Sequence, residues 1–124
     1  MNNKKRLPDG ELSIMQIIWN EEPPVARSTI EQALGDEKQL APSTIITFLT
    51  RLCEKGFLSL TRKGRTNYYT PLISQREYLA QESRSILDRL YGGSLANFAT
   101  ALCDSGVSHE DIEELKDMLE RRSL

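Results

Sequence analysis

Between residues 42 and 71 the apolar period of this chain changes once, and that change restricts the fold more than any other feature. The stretch reads PSTIITFLTRLCEKGFLSLTRKGRTNYYTP. Ile45, Phe48, Leu49 and Leu52 recur at i, i+3, i+4 and i+7, which puts them on one face of a helix. Gly56 follows the last periodic turn and suits the left-handed conformation that ends helices. Beyond it, residues 57–61 and 67–70 are apolar, aromatic and β-branched, as strands require. The basic segment Arg62-Lys63-Gly64-Arg65 supplies a turn between them. Helix, strand, basic turn, strand is the second half of a winged helix-turn-helix.

The other face of that helix carries Ser43, Ile46, Thr47 and Thr50, with Thr44 and Arg51 at its borders. These side chains are short or hydrogen-bonding, with few acids among them. A helix that enters the major groove needs such a face, because bulk or negative charge would hold it off the base edges. Thr44, Ile46 and Thr47 are the base-facing candidates. Arg51 and Lys55 on the helix, with Arg62, Lys63 and Arg65 on the wing, suit backbone phosphates. The competing reading is an ordinary solvated face, which normally carries more Glu and Lys.

Charge supports a division of labour. The whole chain of 124 residues has a net charge of −2. Residues 1–73 hold ten basic and eight acidic side chains, +2, whereas residues 74–124 hold six basic and ten acidic, −4. Residues 41–73 alone hold five basic and one acidic. A DNA-facing half and an acidic partner-facing half are expected, with weak binding by one copy. No run is apolar enough to cross a membrane, and the polar N-terminus lacks a signal-peptide core, so a cytoplasmic protein without membrane insertion is expected. Cys53 and Cys103 read as small, mostly buried residues rather than a disulfide.

Upstream, Asp9 is expected to cap a first helix running to about Trp19, with Leu12, Met15 and Trp19 inward and Ile14, Ile17 and Ile18 widening the stripe. Residues 1–6 form a polar, basic arm. Pro23 and Pro24 break the chain. Val25 can add a short strand beside the wing. A second helix opens near Ala26 or Ser28, turns Ile30, Ala33 and Leu34 inward and ends at Gly35. A polar connection over residues 36–40 leads to Pro42, which suits a first helical turn.

Downstream the helical period returns. Ser74 with Glu77 makes a capping box for a fourth helix that Gly92-Gly93 ends. A fifth helix starts near Ser94, and Ser108 caps a sixth. Their apolar positions are Leu79, Ile86, Leu87, Leu90, Leu95, Phe98, Leu102, Ile112, Leu115 and Leu119. About fifty residues make a small core on their own, so these faces are expected in a homodimer interface. The alternative is that they pack back on the winged helix of the same chain. The fold class is therefore mainly α with a small β-hairpin: a winged-helix domain over residues 1–73 and a helical dimerisation region over residues 74–124.

Several segments together resemble the penicillinase-repressor family of the BlaI/MecI type. They are ELSIMQIIW over residues 11–19, TIITFLTRL over 44–52, Lys55-Gly56, the basic turn with Tyr68-Tyr69, Leu90-Tyr91-Gly92-Gly93 and Ile112-Glu113-Glu114-Leu115. The resemblance spans nearly the whole chain. It implies a homodimeric repressor of an inverted-repeat, double-stranded DNA operator, controlling β-lactam resistance genes. It also implies relief of repression by a membrane-bound sensor protease system that cuts the dimerisation part. The matching region here is the fifth helix, at Asn97-Phe98 or, by frame, Ala101-Leu102. The family often carries a longer polar or basic residue where this chain has Ile46.

Three other readings compete. A metal-answering repressor would need ligands, and this chain offers only His109 and two cysteines far apart. An enzyme would need a nucleophile with its base, paired carboxylates or a metal, and none stands out. No cofactor is implied. A winged-helix module that binds proteins rather than DNA would suit an acidic or apolar wing, whereas this wing is basic.

Overall fold

The computed structural model describes residues 6–37 and 40–122. The order of elements is α1 (Asp9–Trp19), β1 (Val25–Ala26), α2 (Arg27–Glu37), α3 (Pro42–Glu54), β2 (Leu58–Lys63), β3 (Thr66–Pro71), α4 (Gln75–Tyr91), α5 (Leu95–Asp104) and α6 (His109–Arg122). This is the expected winged helix followed by three helices.

α1 begins at Asp9 itself, one residue earlier than a cap at that position would give. Pro8, not Asp9, is the N-cap, and it makes no side-chain capping bond. Its carbonyl accepts from Leu12 N at 2.9 Å, while Asp9 sits inside the first turn, where the helix dipole still favours its charge. The buried face of α1 is Glu11, Ile14, Met15 and Ile18; Leu12, Ile17 and Trp19 pack at its margin. α2 also differs. It runs through Gly35 to Glu37, because burial of Ile30 and Leu34 holds the helix past a residue that could have ended it. The connection is correspondingly shorter than residues 36–40. Lys38 and Gln39 lie outside the described residues, as do residues 1–5 of the basic arm.

α3 packs Ile45, Leu49 and Leu52 into the core. Pro42 occupies its first turn, and Gly56 takes φ +83° just beyond it. β2 and β3 pair antiparallel from Leu58↔Pro71 to Lys63↔Thr66. The wing turn therefore narrows to Gly64-Arg65, with Gly64 at φ +64°, and Arg62 and Lys63 belong to the strand. β1 joins the far edge of β3 through Val25↔Tyr69 and Ala26↔Tyr68, giving sheet order β1-β3-β2.

The first compact unit ends at Glu82, nine residues beyond the boundary expected from sequence. The first two turns of α4 belong to it. Tyr78 is buried, and its ring lies 5.6 Å from that of Trp19 and 5.9 Å from that of Phe57. Its hydroxyl accepts from Leu7 N at 2.9 Å, and burial pushes the phenol above its ordinary pKa. Trp19 Nε1 donates to Ile73 O at 2.9 Å. The capping box forms as expected: Glu77 N donates to Ser74 Oγ at 3.1 Å and Ser74 N to Glu77 Oε1 at 3.0 Å.

The second unit runs from Ser83 onward and contains the rest of α4, α5 and α6. Gly92 and Gly93, at φ +58° and +80°, end α4. Ser94 caps α5 by accepting from Asn97 N at 3.1 Å, and Ser108 caps α6 by accepting from Asp111 N at 3.1 Å. Tyr91 and Phe98 meet edge to face at 5.4 Å. No residue of α5 or α6 is buried within a single chain.

Candidate nucleic-acid interface

α3 presents two faces to different surroundings. Opposite its buried stripe, Ser43, Ile46, Thr47, Thr50 and Arg51 are exposed, and Thr44 is half-buried. The hydroxyls of Thr47 and Thr50 donate to the carbonyls of Ser43 and Ile46, at 3.0 and 2.9 Å. Their protons are thus used inside the helix, and what they offer outward is methyl surface and oxygen lone pairs.

α1 holds this helix at two points. Gly10 permits the first: a Cβ there would stand 2.7 Å from Phe48 Cε2, closer than carbon atoms approach. The second is an ion pair between Lys55, one residue past α3, and Glu11, with Nζ 2.5 Å from Oε1. Glu11 is 2% exposed, and it is the buried charged side chain among the described residues. Lys55 therefore departs from the expected phosphate set. Its ammonium is committed to Glu11, so it serves to place α3 rather than to carry free positive charge.

The wing keeps its three cations exposed. Arg62 Nε donates to Gly64 O at 3.2 Å, and Lys63 Nζ lies 5.9 Å from the centroid of Tyr68. Both are thereby held beside the turn with charge to spare. Arg65 lines a small polar recess of about 160 Å³ together with Arg27, Ser28 and Asn67. Arg27 was missed in the sequence. Its signal was available, a basic residue opening the helix that precedes α3, but its position beside the wing follows only from the pairing of β1 with β3. Arg27 also faces Glu31 at 3.4 Å, which offsets part of its charge.

Two titratable groups lie behind this surface. Burial, reinforced by Glu54, raises the pKa of Cys53, so its thiol stays protonated near neutral pH. Burial likewise raises Tyr69. Both behave as packing groups. Cys103, in contrast to the buried position expected, is exposed, and both cysteines are free thiols. Among the described residues, no three His, Cys, Asp or Glu side chains gather as a metal site would require, and no helix is long and apolar enough to cross a membrane.

The residues expected at a dimer interface fall mostly in the second unit. Ile86, Leu87, Phe98, Leu102 and Ile112 are half-buried; Leu90, Leu95, Leu115 and Leu119 are exposed. α5 and α6 leave an apolar groove of about 380 Å³ between Leu102, Ile112, Leu115 and Leu119. Leu79 is separate from these, exposed on the part of α4 that belongs to the first unit. The proposed cleavage residues Asn97, Phe98, Ala101 and Leu102 all lie within regular helix, with Phe98 against Tyr91, so a protease could read them only after local unfolding.

The first unit thus presents an exposed helix face that is uncharged from Ser43 to Thr50 and, on the same unit, exposed cations on the wing. The family model described as Penicillinase repressor matches residues 7–121. The chain is 33% identical over 121 residues to the penicillinase repressor of Bacillus licheniformis, covering 97% of this chain and 94% of that one. It is 27% identical over 124 residues to the methicillin resistance regulatory protein MecI of Staphylococcus aureus strain N315, covering 98% and 100%. Among solved structures it is similar to the DNA-binding domain of the repressor BlaI, with a TM-score of 0.55 and 32% identity over 63% of this chain and 94% of that one. It is similar to the same degree, TM-score 0.54, to the Bacillus licheniformis BlaI monomer in complex with the blaP half-operator. A family match over nearly the full length, reached independently of the geometry of α3 and the wing, establishes that the chain belongs to the penicillinase repressor family.

Proposed function

We propose that this protein is a homodimeric transcriptional repressor that binds an inverted-repeat operator in double-stranded DNA. The observation that carries the reading is the exposed face of α3 from Ser43 to Arg51, which has no acidic side chain before Glu54 at the helix end, together with the exposed cations Arg62, Lys63 and Arg65 on the wing of the same unit. In this arrangement α3 lies in the major groove and the wing cations hold the backbone. The similar BlaI domain has been solved on a half-operator, which supports the same mode of docking here.

Dimerisation in this reading uses the second unit. Its helices bury nothing fully within one chain, and the α5–α6 groove is apolar. A second copy covering those faces would link two winged helices, with half-sites about 34 Å apart, one DNA turn. Linkage of two weak sites raises affinity by ~10²–10⁴-fold. The target class is β-lactam resistance genes, an assignment supported by the names of the relatives. Repression would end by a cut in α5 from a membrane-bound sensor protease system; its support is the family resemblance and the loss of α6 that such a cut entails.

The test is a gel-shift titration of the full chain on the duplex upstream of its own gene. A single cooperative shift to a two-copy complex, abolished when either half-site is scrambled, is expected. Equal retention of unrelated duplex would refute an operator, and no retention at low salt would leave a module that binds proteins instead.

A further inference from the structure

Up to Thr50, ahead of Arg51, which is assigned to backbone phosphate, the outward face of α3 is poor in hydrogen-bond donors to a degree that limits which bases that stretch can read. From Pro42 to Thr50 the helix contains no Arg, Lys, Asn, Gln, Asp or Glu. The side chains that make bidentate contacts to guanine, adenine or cytosine are therefore absent from it. The hydroxyl protons of Thr47 and Thr50 are already donated to backbone carbonyls. Beside them stands Ile46, 41% exposed, a large apolar group on a surface that has no monomer core to cover it. Positions 46, 47 and 50 share one face of the helix, so the isoleucine and two threonine methyls form one apolar strip. In the major groove the C5-methyl of thymine is the apolar feature that such a strip can meet.

We infer that this repressor selects its half-site by thymine methyl groups, with Ile46 as the central specificity determinant and Thr47 and Thr50 beside it. The inference rests on the DNA-binding reading above. It narrows that reading from an operator in general to half-sites in which one or two thymines face α3 and guanine is not directly read by residues 42–50.

The experiment uses the full chain and a pool of duplex DNA with a randomised core. Duplexes retained after selection are then remade with uracil in place of single thymines, which removes only the methyl. One or two thymines in each half-site are expected to lose about three- to fivefold in affinity on that change, the scale of burying one carbon. At the position facing Ile46, the variant Ile46→Ala is expected to bind thymine and uracil duplexes alike, while wild type does not. Because Ile46 is exposed, its replacement leaves the core intact, which an unchanged Trp19 fluorescence spectrum would verify. Selected duplexes that bind equally well with uracil at every thymine would overturn the inference while leaving DNA binding in place. Retention of no duplex at low salt would overturn the DNA-binding reading, and the inference with it.

Discussion

Removing Lys55 is expected to harm the first unit more than removing the charge of Glu11, and the asymmetry follows from who is buried. Glu11 is 2% exposed at the side chain, whereas Lys55 is 35% exposed. In Lys55→Met the carboxylate is left in the core without its cation. Breaking a buried pair this way costs about 3–5 kcal/mol. The lower end, about 3 kcal/mol, applies here because water can reach the space Lys55 vacates. In Glu11→Gln an amide oxygen remains to accept from Lys55, and the ammonium can turn to water, so about 1 kcal/mol is lost. Urea unfolding followed by Trp19 fluorescence reads this unit selectively, since Trp19 is the single tryptophan and lies in α1. With a slope of ~1.5 kcal/mol/M, the midpoint falls by about 2 M in Lys55→Met and by under 1 M in Glu11→Gln. The double variant, with no charge left in the core, recovers most of the loss. If Glu11→Gln proves the more damaging, the account of the pair is wrong. Should Lys55→Met also flatten the salt dependence of DNA binding, Lys55 touches phosphate after all.

Four further outcomes are expected. Lys63→Ala and Arg65→Ala weaken binding to all duplexes alike and each reduce the slope of log affinity against log salt by about 0.9; an unchanged slope would remove the wing from the contact. Leu115→Asp places an unpaired carboxylate in the proposed interface and yields monomers in sedimentation, while a monomeric wild type at micromolar concentration would reject the interface altogether. A chain ending at Thr100 lacks α6 and is expected to be monomeric and to release the operator; a tight dimer of that length would exclude cleavage in α5 as the route to induction. Hydrogen bonds from the Ser74 backbone N–H, and then its hydroxyl, hold the Glu77 carboxyl below its ordinary pKa, so the cap is at full strength above the usual glutamate range and is lost as pH falls through the lowered value. An NMR titration of the Glu77 carboxyl with a midpoint at or above the ordinary value would contradict the cap.

The recognition helix and wing were legible because their apolar and polar residues alternate with the period of a single element. Ile45, Leu49 and Leu52 mark α3, and the glycine at 64 marks the turn, with neighbours close in sequence sufficing for each. What was not legible depends on distant partners. Glu11 looks like a dipole-favoured acid in a first turn, and Lys55 looks like a phosphate contact, until the fold brings positions 44 residues apart together. Gly35 carries a strong local preference to end a helix, and tertiary burial of Ile30 and Leu34 overrides it. Cys103 was expected to be buried on the average behaviour of its residue type, and α5 instead has no buried side chain at all within one chain. The boundary at 73 followed the capping box at Ser74, a sound signal for where α4 starts but silent about which unit its first turns join.

The union of α4's first turns with the first unit bears on how the chain is made. Leu7 N reaches Tyr78 across 71 residues and Trp19 Nε1 reaches Ile73 across 54. Synthesis proceeds from the N-terminus at roughly 5–20 residues per second, and a domain folds as a unit once its parts are available. For this chain α1, α2, α3 and the complete hairpin emerge before the ring of Tyr78 exists to fill the space beside Trp19 and Phe57. The DNA-reading half therefore stays incomplete on the ribosome until α4 has begun to appear. A gene fragment stopped at residue 73 would yield a polypeptide with all of α3 and the wing present and a core that lacks the ring of Tyr78 beside Trp19 and Phe57.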